Sequence, residues 1–288
     1  MWLMGEREQP SIRREAGKSE CQKREGPMVL WIYFIMETVL SICSGCPPTY
    51  EQISPDLCVI NLGPASSFCE ASAMCANYGA ERGELAFLVG RNVRRLIPSL
   101  NPATNLWLGM NGFLILPNRT AVAWRDTDPR TPRFTTVGEE IVWFADEPGG
   151  AESVIVFQYS SKAMHDCYPT CLWPGERFFA YCEYGGSLPT MDRPQEYRSD
   201  FPVPIDNFIQ TDMQFFGCYR EVDEPSIIAC TLKCTLNVAC RSIYYHKESH
   251  RCVSMMYADS LLPSVFTSSP NGWKRLAKTS YAGTVGSL

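Results

Sequence analysis

Acidic side chains and a proline occur together in the stretch WFADEPGG, residues 143–150. Asp146 and Glu147 lie directly before Pro148, and Glu152 follows shortly after it. Carboxylate oxygens are the ligands that a hard cation prefers, and calcium takes about six to eight of them. This segment therefore predicts either a calcium site or an acidic turn whose carboxylates are solvated.

A second set of residues has nearly the spacing of a zinc finger with two cysteine and two histidine ligands: Cys230, Cys234, His246 and His250. In a zinc finger the histidines lie on the helix and the cysteines on a hairpin. Here the stretch EPSIIACTLKC predicts the reverse order, with the cysteines on a helix. The sequence therefore favours disulfides over zinc at these cysteines.

Residues suited to catalysis are few. His165 lies beside Cys167 without an orienting third group nearby in the sequence. Glu147 and Glu152 have the residue types of a glycosidase acid and base, but neighbouring acids are usually just solvated. The chain contains no nucleophile elbow, phosphate-binding loop or metalloprotease motif. We therefore expect a protein that is not an enzyme.

The composition is that of a folded protein from an oxidising compartment. Of 288 residues, 45% are hydrophobic and 20% are charged, which allows a real core. The net charge of −5 and the lack of a basic stripe argue against nucleic acid as a partner. Fourteen cysteines indicate a disulfide framework outside the reducing cytosol.

The N-terminal part predicts secretion. Residues 1–27 form a polar leader, and translation starting at Met28 would omit it. Residues 28–45 are apolar, end in small side chains and are shorter than the ~20 residues of a membrane-spanning helix, which is typical of a signal peptide. The alternative is that residues 29–45 stay as an uncleaved anchor of a type II membrane protein. Asn118 begins a glycosylation sequon.

The cysteines after the leader form two groups, separated by a stretch at residues 185–215 that is rich in proline and polar residues and predicts a linker. Each group is odd in number, so the sequence predicts either a free thiol in each or one bridge between them. The first group is Cys46, Cys58, Cys69, Cys75, Cys167, Cys171 and Cys182, and the second is Cys218, Cys230, Cys234, Cys240 and Cys252.

The first group lies in a segment with an α+β pattern. Ser67 and Glu70 form a capping box at the start of a helix, and Gly79 offers its end. The stretch GRNVRRLIPSL predicts a second, shorter helix. Short aromatic strands follow: NLWLGM, VAWRD, IVWFA, SVIVFQY and RFFAYCEY.

These elements resemble a C-type lectin-like domain over residues 46–184. The stretch SSFCEASAMCANYGAERGELAFLVGRN is similar to that family's first helix and following turn, WLGM to its core strand, and RFFAYCEY to its closing strand. The resemblance implies two helices, mixed sheets of short strands, and disulfides that staple them together. It pairs Cys46 with Cys58 and Cys75 with Cys182, and leaves Cys69, Cys167 and Cys171 open: the last two bond to each other, or one of them bonds to Cys69.

The resemblance also bears on calcium. Sugar-binding members of the family use Glu-Pro-Asn or Gln-Pro-Asp, a later Glu, and a Trp-Asn-Asp strand. Glu147, Pro148 and Glu152 match the first parts of this set, whereas Gly149 supplies no side-chain oxygen. The third part is expected where the chain has Trp-Pro-Gly, residues 173–175.

Two carboxylates cannot complete a calcium shell. Asp146 or Glu176 would have to compensate, and nothing in their spacing requires it. We therefore expect a degenerate site, with no cofactor.

The second group resembles a PAN/apple domain over residues 216–278, a small α+β fold with a cysteine-bearing helix and an aromatic strand at Tyr244 and Tyr245. That family pairs Cys230 with Cys252 and Cys234 with Cys240. Cys218 either lacks a partner or bridges to the first group. Residues 279–288 predict a flexible tail.

Together these features predict a secreted, lectin-like recognition protein that binds carbohydrate or an extracellular protein without the standard calcium-dependent sugar site. Two alternatives remain: an extracellular structural or matrix protein without a small ligand, and a calcium-dependent lectin with a compensated site.

Overall fold

The computed structural model describes residues 45–117, 119–171, 173–189 and 194–281. The polar leader, the predicted signal peptide up to residue 44, Asn118 and the end of the predicted tail, residues 282–288, lie outside the described residues. No helix within the described ranges is long and apolar enough to cross a membrane.

The larger sheet follows the first cysteine group. Among the described residues it has nine strands: β1 (Glu51–Ser54), β2 (Leu57–Ala65), β3 (Glu84–Leu88), β4 (Asn105–Asn111), β5 (Val122–Arg125), β6 (Thr135–Val137), β7 (Val154–Gln158), β8 (Ala163–Cys167) and β9 (Phe178–Ser187). The main order is β1-β2-β9-β4-β5-β6, with β3 on β9 and β7 between β4 and β8. Only the β4–β9 pair among these described strands is parallel.

Two helices accompany this sheet, α1 (Phe68–Ala80) and the short α2 (Val93–Leu96). Helix α1 begins after Ser67, whose Oγ accepts a hydrogen bond from Glu70 N at 3.1 Å. The Glu70 carboxylate reaches back to Ser66 N at 2.7 Å, so the side chains at the helix start satisfy two exposed amides. The helix runs through Gly79, where a stop was predicted, because Gly79 packs against β3.

Strand β4 forms the centre of the first core. All seven of its residues, including the WLGM stretch, are buried. The Trp107 indole donates to Ala65 O at 3.1 Å, and its ring lies 5.5 Å from the Phe178 ring of β9. A buried indole with a satisfied N–H contributes apolar area without an unpaired donor, which fixes β4 against β2 and β9.

A second sheet follows the second cysteine group. Its five strands within the described part of the chain are β10 (Tyr197–Arg198), β12 (Cys218–Asp223), β13 (Cys240–His246), β14 (Arg251–Met256) and β16 (Trp273–Lys278). The order is β10-β16-β13-β14-β12, all antiparallel. Helix α3 (Ile227–Leu236) packs on β13 and β14, and β11 (Ile209–Gln210) pairs in parallel with β15 (Leu262–Pro263).

Six disulfides connect the described cysteines: Cys46–Cys58, Cys69–Cys218, Cys75–Cys182, Cys167–Cys171, Cys230–Cys252 and Cys234–Cys240. Four of these pairs are those that the two resemblances imply. Of the open alternatives, Cys167 bonds to Cys171. The odd number in each group arises from the Cys69–Cys218 bridge between the groups.

The segment predicted as a linker, residues 185–215, contributes β10 and β11 to the second half of the molecule. Within it Phe201 is buried, and its carbonyl oxygen accepts from Arg275 Nη1 of β16 at 2.7 Å. The described residues, from 45 to 281, belong to one unit by their contacts. Of the predicted tail, Tyr281 is buried.

Candidate ligand-binding site

The WFADEPGG segment lies alongside β8. Phe144 N donates to Met164 O of that strand at 2.9 Å, and Glu147 N donates back to Phe144 O at 3.1 Å. The Glu147–Pro148 peptide bond is cis, and Pro148 is buried. The acidic residues of the turn are therefore held next to the residues that follow Met164.

One aspartate of β8 holds the turn. Asp166 is buried, and its Oδ1 and Oδ2 accept from Gly149 N at 3.0 Å and from Gly150 N at 3.1 Å. Gly149 N also donates to Glu147 Oε2 at 2.9 Å. Because one side chain accepts from two successive amides, Asp166 fixes the conformation of the two glycines.

This arrangement corrects the expected position of the third ligand segment. The sequence placed it at residues 173–175, but these residues form a turn in which Glu176 N donates to Trp173 O at 3.0 Å. The strand that pairs with the strand after Glu152 is β8, which carries Met164, His165 and Asp166. The site thus contains a carboxylate that the sequence interpretation lacked.

Three carboxyl groups converge here: Glu147, Glu152 and Asp166. Burial, together with the nearby Asp166 carboxylate, raises the pKa of Glu147 to about 7. Burial and Asp166 likewise raise the pKa of Glu152 to about 7. Like charges that share a partly desolvated site disfavour ionisation, so Glu147 and Glu152 retain protons near neutral pH.

Several oxygens of the cluster are engaged inside the turn. Calcium takes about six to eight oxygens. Three of the cluster's carboxyl oxygens, one from Glu147 and both from Asp166, already accept main-chain amides inside the turn. Gly149 adds no side-chain oxygen.

Of the two residues considered as compensating ligands, Glu176 forms other hydrogen bonds and Asp146 is exposed. Glu176 accepts hydrogen bonds from Asn105 Nδ2 and from Gln158 Nε2, both at 2.7 Å, and so links β4 with β7. Asp146 is exposed and has a positive φ of 69°. Neither adds an oxygen to the inner cluster.

An aromatic stack lies beside the acids. The Phe144 ring, 47% exposed, stacks on the buried His165 ring at a centroid distance of 4.8 Å and an interplanar angle of 28°. The Trp173 ring meets His165 edge-on at 5.2 Å. Aromatic rings in such pairs restrict each other, so Phe144 presents a rigid ring to solvent.

His165 connects the stack to the acids. Its Nδ1 lies 3.5 Å from Glu147 Oε1, and its Nε2 lies 3.3 Å from Ser161 Oγ. Burial lowers the pKa of His165, against the opposing effects of the Asp166 and Glu176 charges, and so favours the neutral ring. The neighbouring Cys167 is bonded to Cys171, which leaves no thiol there for catalysis.

Sequence reasoning missed Phe144 and Asp166 and considered His165 only as a neighbour of Cys167. A signal was present: SVIVFQY and AMHDC flank a short polar turn, as the two strands of a hairpin do. Pairing them in register places Asp166 opposite Ile155, on the strand that follows Glu152. In the structure Asp166 lies near enough to Glu152 to raise its pKa.

The zinc-like set of the second group is not assembled. Cys230 and Cys234 are bonded to other cysteines. His246 Nδ1 lies 2.9 Å from Ser249 Oγ, and His250 Nδ1 lies 3.3 Å from the Tyr245 hydroxyl. The thiols that zinc requires are therefore consumed by disulfides.

Comparison with protein-family models and with curated proteins found no match. Among solved structures, the C-type lectin CEL-I from Cucumaria echinata is 19% identical and is similar over 49% of this chain and 99% of its own, with a TM-score of 0.35. The cow C-type carbohydrate-recognition domain of CD23, determined in the presence of a GlcNAc2Man3 oligosaccharide, is 17% identical over 49% of this chain and 96% of its own, with a TM-score of 0.37. A calcium-independent type II antifreeze protein is 17% identical over 50% and 96%, with a TM-score of 0.36.

Proposed function

We propose that this chain is a secreted, lectin-like recognition protein that binds a carbohydrate at the surface formed by Phe144, Glu147 and Glu152, without calcium. The observation that carries the proposal is the exposed Phe144 ring, stacked on His165, whose Nδ1 lies 3.5 Å from the Glu147 carboxyl group. The disulfides support an extracellular location. The protein acts by binding and has no enzymatic activity.

The chemistry of the surface suits a sugar. The apolar face of a pyranose ring packs on an aromatic ring through C–H contacts, which an exposed Phe144 offers. A carboxyl group accepts hydrogen bonds from sugar hydroxyls when ionised and also donates one when protonated, and the Glu152 carboxyl, with a pKa of about 7, is only partly buried. A few polar groups beside an apolar contact fix the orientation of a ligand.

A glycan array probed with the oxidised protein, with and without a chelator, tests the proposal. We expect binding that the chelator leaves unchanged. Phe144→Ala should lower the affinity for the best glycan about tenfold or more, the loss of ~1.4 kcal/mol. Tyr219→Ala removes an equally exposed aromatic ring in the second half of the molecule and should leave the affinity unchanged.

Two results would redirect the proposal. Binding that needs calcium, shown by calorimetric titration and lost in Glu152→Gln, would establish the compensated calcium-dependent site instead. A blank array with a correctly folded protein would favour an extracellular protein ligand or a structural role.

A further inference from the structure

A cavity of about 40 Å³ lies where the two halves of the molecule meet. Its lining comes from the region around β5 on one side and from β13, β16 and the chain after β14 on the other. Three basic side chains line it: Arg125, Arg241 and Lys278. Arg125 is buried, and the other two are partly buried.

These three cations hydrogen-bond to main-chain carbonyl groups. Arg241 donates at 2.7–3.3 Å to three carbonyl oxygens, those of Thr127, Val238 and Tyr257. Arg125 Nη2 donates to Pro132 O at 2.8 Å, and Lys278 Nζ donates to Asn237 O at 3.0 Å. Within the described part of the chain, none of the three forms an ion pair within 4.0 Å.

Two of the aspartates that line the cavity are engaged on the side of the first sheet. Asp128 pairs with Arg91 at 2.8 Å and with Arg130 at 2.9 Å. Asp126 accepts from Arg91 N at 3.2 Å, and its Oδ2 lies 3.9 Å from Arg91 Nε. Arginines outside the three cations are therefore the nearest ion-pair partners of these two aspartates.

The third lining aspartate is engaged on the side of the second sheet. Asp259 forms an ion pair with Arg275 and accepts a hydrogen bond from Ser242 Oγ at 2.6 Å. The charges of Asp128 and Asp259 also favour protonated Arg241, and that of Asp259 favours protonated Arg125. Neither aspartate forms an ion pair with the three lining cations, which therefore bring positive charge into a partly desolvated space. Uncompensated charge in such a space is costly.

The electrostatics agree with this geometry. Burial, and then the charge of Arg241, lower the pKa of Lys278 to about 7. Burial lowers the pKa of Arg241 to about 10. A negative charge in the cavity would relieve both effects.

One neutral group of the lining also indicates an occupant. Asn111 is 1% exposed, and its Nδ2 donates to Gly109 O at 3.2 Å. Its Oδ1 has no hydrogen-bond partner among the described residues. Buried polar atoms are usually satisfied, and an acceptor oxygen needs a donor, so a water in the cavity, and not the anion itself, would complete the hydrogen bonding of Asn111.

We propose that this cavity binds one small monovalent anion, chloride or a carboxylate of formate size, between Arg125, Arg241 and Lys278. A water needs roughly 10–15 Å³ of such space, so a cavity of about 40 Å³ admits a small anion with a water but is tight for a larger one. Because Arg241 also donates to Thr127 O in the first half of the molecule, the anion stabilises the junction between the two halves.

Thermal unfolding of the oxidised full-length protein tests this inference. At about pH 6, where Lys278 is protonated, sodium gluconate is replaced stepwise by sodium chloride or sodium formate at constant ionic strength. We expect the midpoint to rise by about 3 °C and then to saturate. Lys278→Met should abolish this rise. Lys274→Met, an exposed lysine on the same strand, should retain it.

A direct measurement covers the case in which Lys278→Met fails to fold. Chlorine NMR of the wild-type protein should show line broadening that formate removes by competition. A midpoint that does not respond to the anion, an equal response in both lysine variants, or a linewidth equal to that of a protein-free sample would overturn the proposal. A rise with chloride that does not saturate would also do so, because it would reflect a general salt effect.

Discussion

At the scale of single residues, the site depends on Asp166. The sequence predicts that Glu147, Pro148 and Glu152 lie close together, because they belong to one short segment. Asp166 could not, because its position depends on the register of a hairpin. The same register places His165 under Phe144, which turns an exposed apolar residue into part of a rigid surface.

The raised pKa values of Glu147 and Glu152 predict a pH-dependent stability. Both lie near 7 in the folded protein, above the ordinary glutamate value of 4.5, so the folded state binds more protons in this window. The free energy of unfolding therefore falls as the pH rises from about 4.5 to about 7. Urea unfolding across this range should show the decline, and Glu152→Gln should make it shallower.

Two buried acids elsewhere, Asp126 and Glu183, also have raised pKa values and contribute to the decline. The comparison with Glu139→Gln, an exposed glutamate outside the cluster, isolates the effect of Glu152. Identical pH profiles for the two variants would contradict the assignment of the shift to the cluster.

Asp166→Asn tests whether the hydrogen bonds from Gly149 N and Gly150 N to Asp166 stabilise the turn. One acceptor oxygen is replaced by an amide nitrogen, which cannot accept, so either Gly150 N loses its acceptor or Gly149 N keeps only Glu147 Oε2. We expect a loss of about 1–3 kcal/mol in the free energy of unfolding, measured by urea denaturation. Asp146→Asn changes an exposed acid in the same turn at a positive φ that asparagine tolerates, and should change stability little.

At the scale of elements, local sequence signals predict where helix α1 lies in the chain, but not which strand it packs against. The capping residues and the apolar stripe at Phe68, Ala71 and Cys75 are local, so its start and its buried face could be predicted. The local pattern predicts that Gly79 ends the helix. Its role depends on a strand that the helix packs against, which a local pattern does not contain.

Gly79→Ala should therefore destabilise the protein, although alanine favours helices by about 1 kcal/mol. An added Cβ would lie 2.6 Å from Glu84 O and 2.8 Å from Ala86 N, so β3 must move. We expect a net loss of about 1–3 kcal/mol in urea unfolding. Ala80→Gly, at the exposed last position of α1, should cost no more than the propensity difference. An unchanged or increased stability of Gly79→Ala would show that the contact is loose.

At the scale of the whole molecule, the odd number of cysteines in each group predicted either a bridge between the groups or free thiols. Which cysteines form the bridge could not be predicted, because Cys69 and Cys218 are 149 residues apart in sequence. The segment between the groups had no apolar periodicity and was interpreted as a linker. Its strand β10 and the buried Phe201 belong to the second half of the molecule, and their partners lie far along the chain.

The Cys69–Cys218 bridge should be among the more stabilising of the disulfides. Since Cys75–Cys182 already connects α1 with β9, the additional loop that Cys69–Cys218 closes spans about 40 residues, and the chain-entropy model gives about 4 kcal/mol for it. The Cys167–Cys171 bridge closes a loop with a sequence separation of 4, for which the model gives about 2 kcal/mol.

Guanidinium unfolding of two double variants, Cys69→Ser with Cys218→Ser and Cys167→Ser with Cys171→Ser, compares the two bridges directly. We expect the larger loss of unfolding free energy in the first variant, because its bridge restricts more of the unfolded chain. The remaining contacts between the halves, such as that from Arg241 to Thr127 O, should keep the first variant folded in one cooperative transition. Two separate transitions in that variant would show instead that each half folds independently and that the disulfide, more than the packing, couples them.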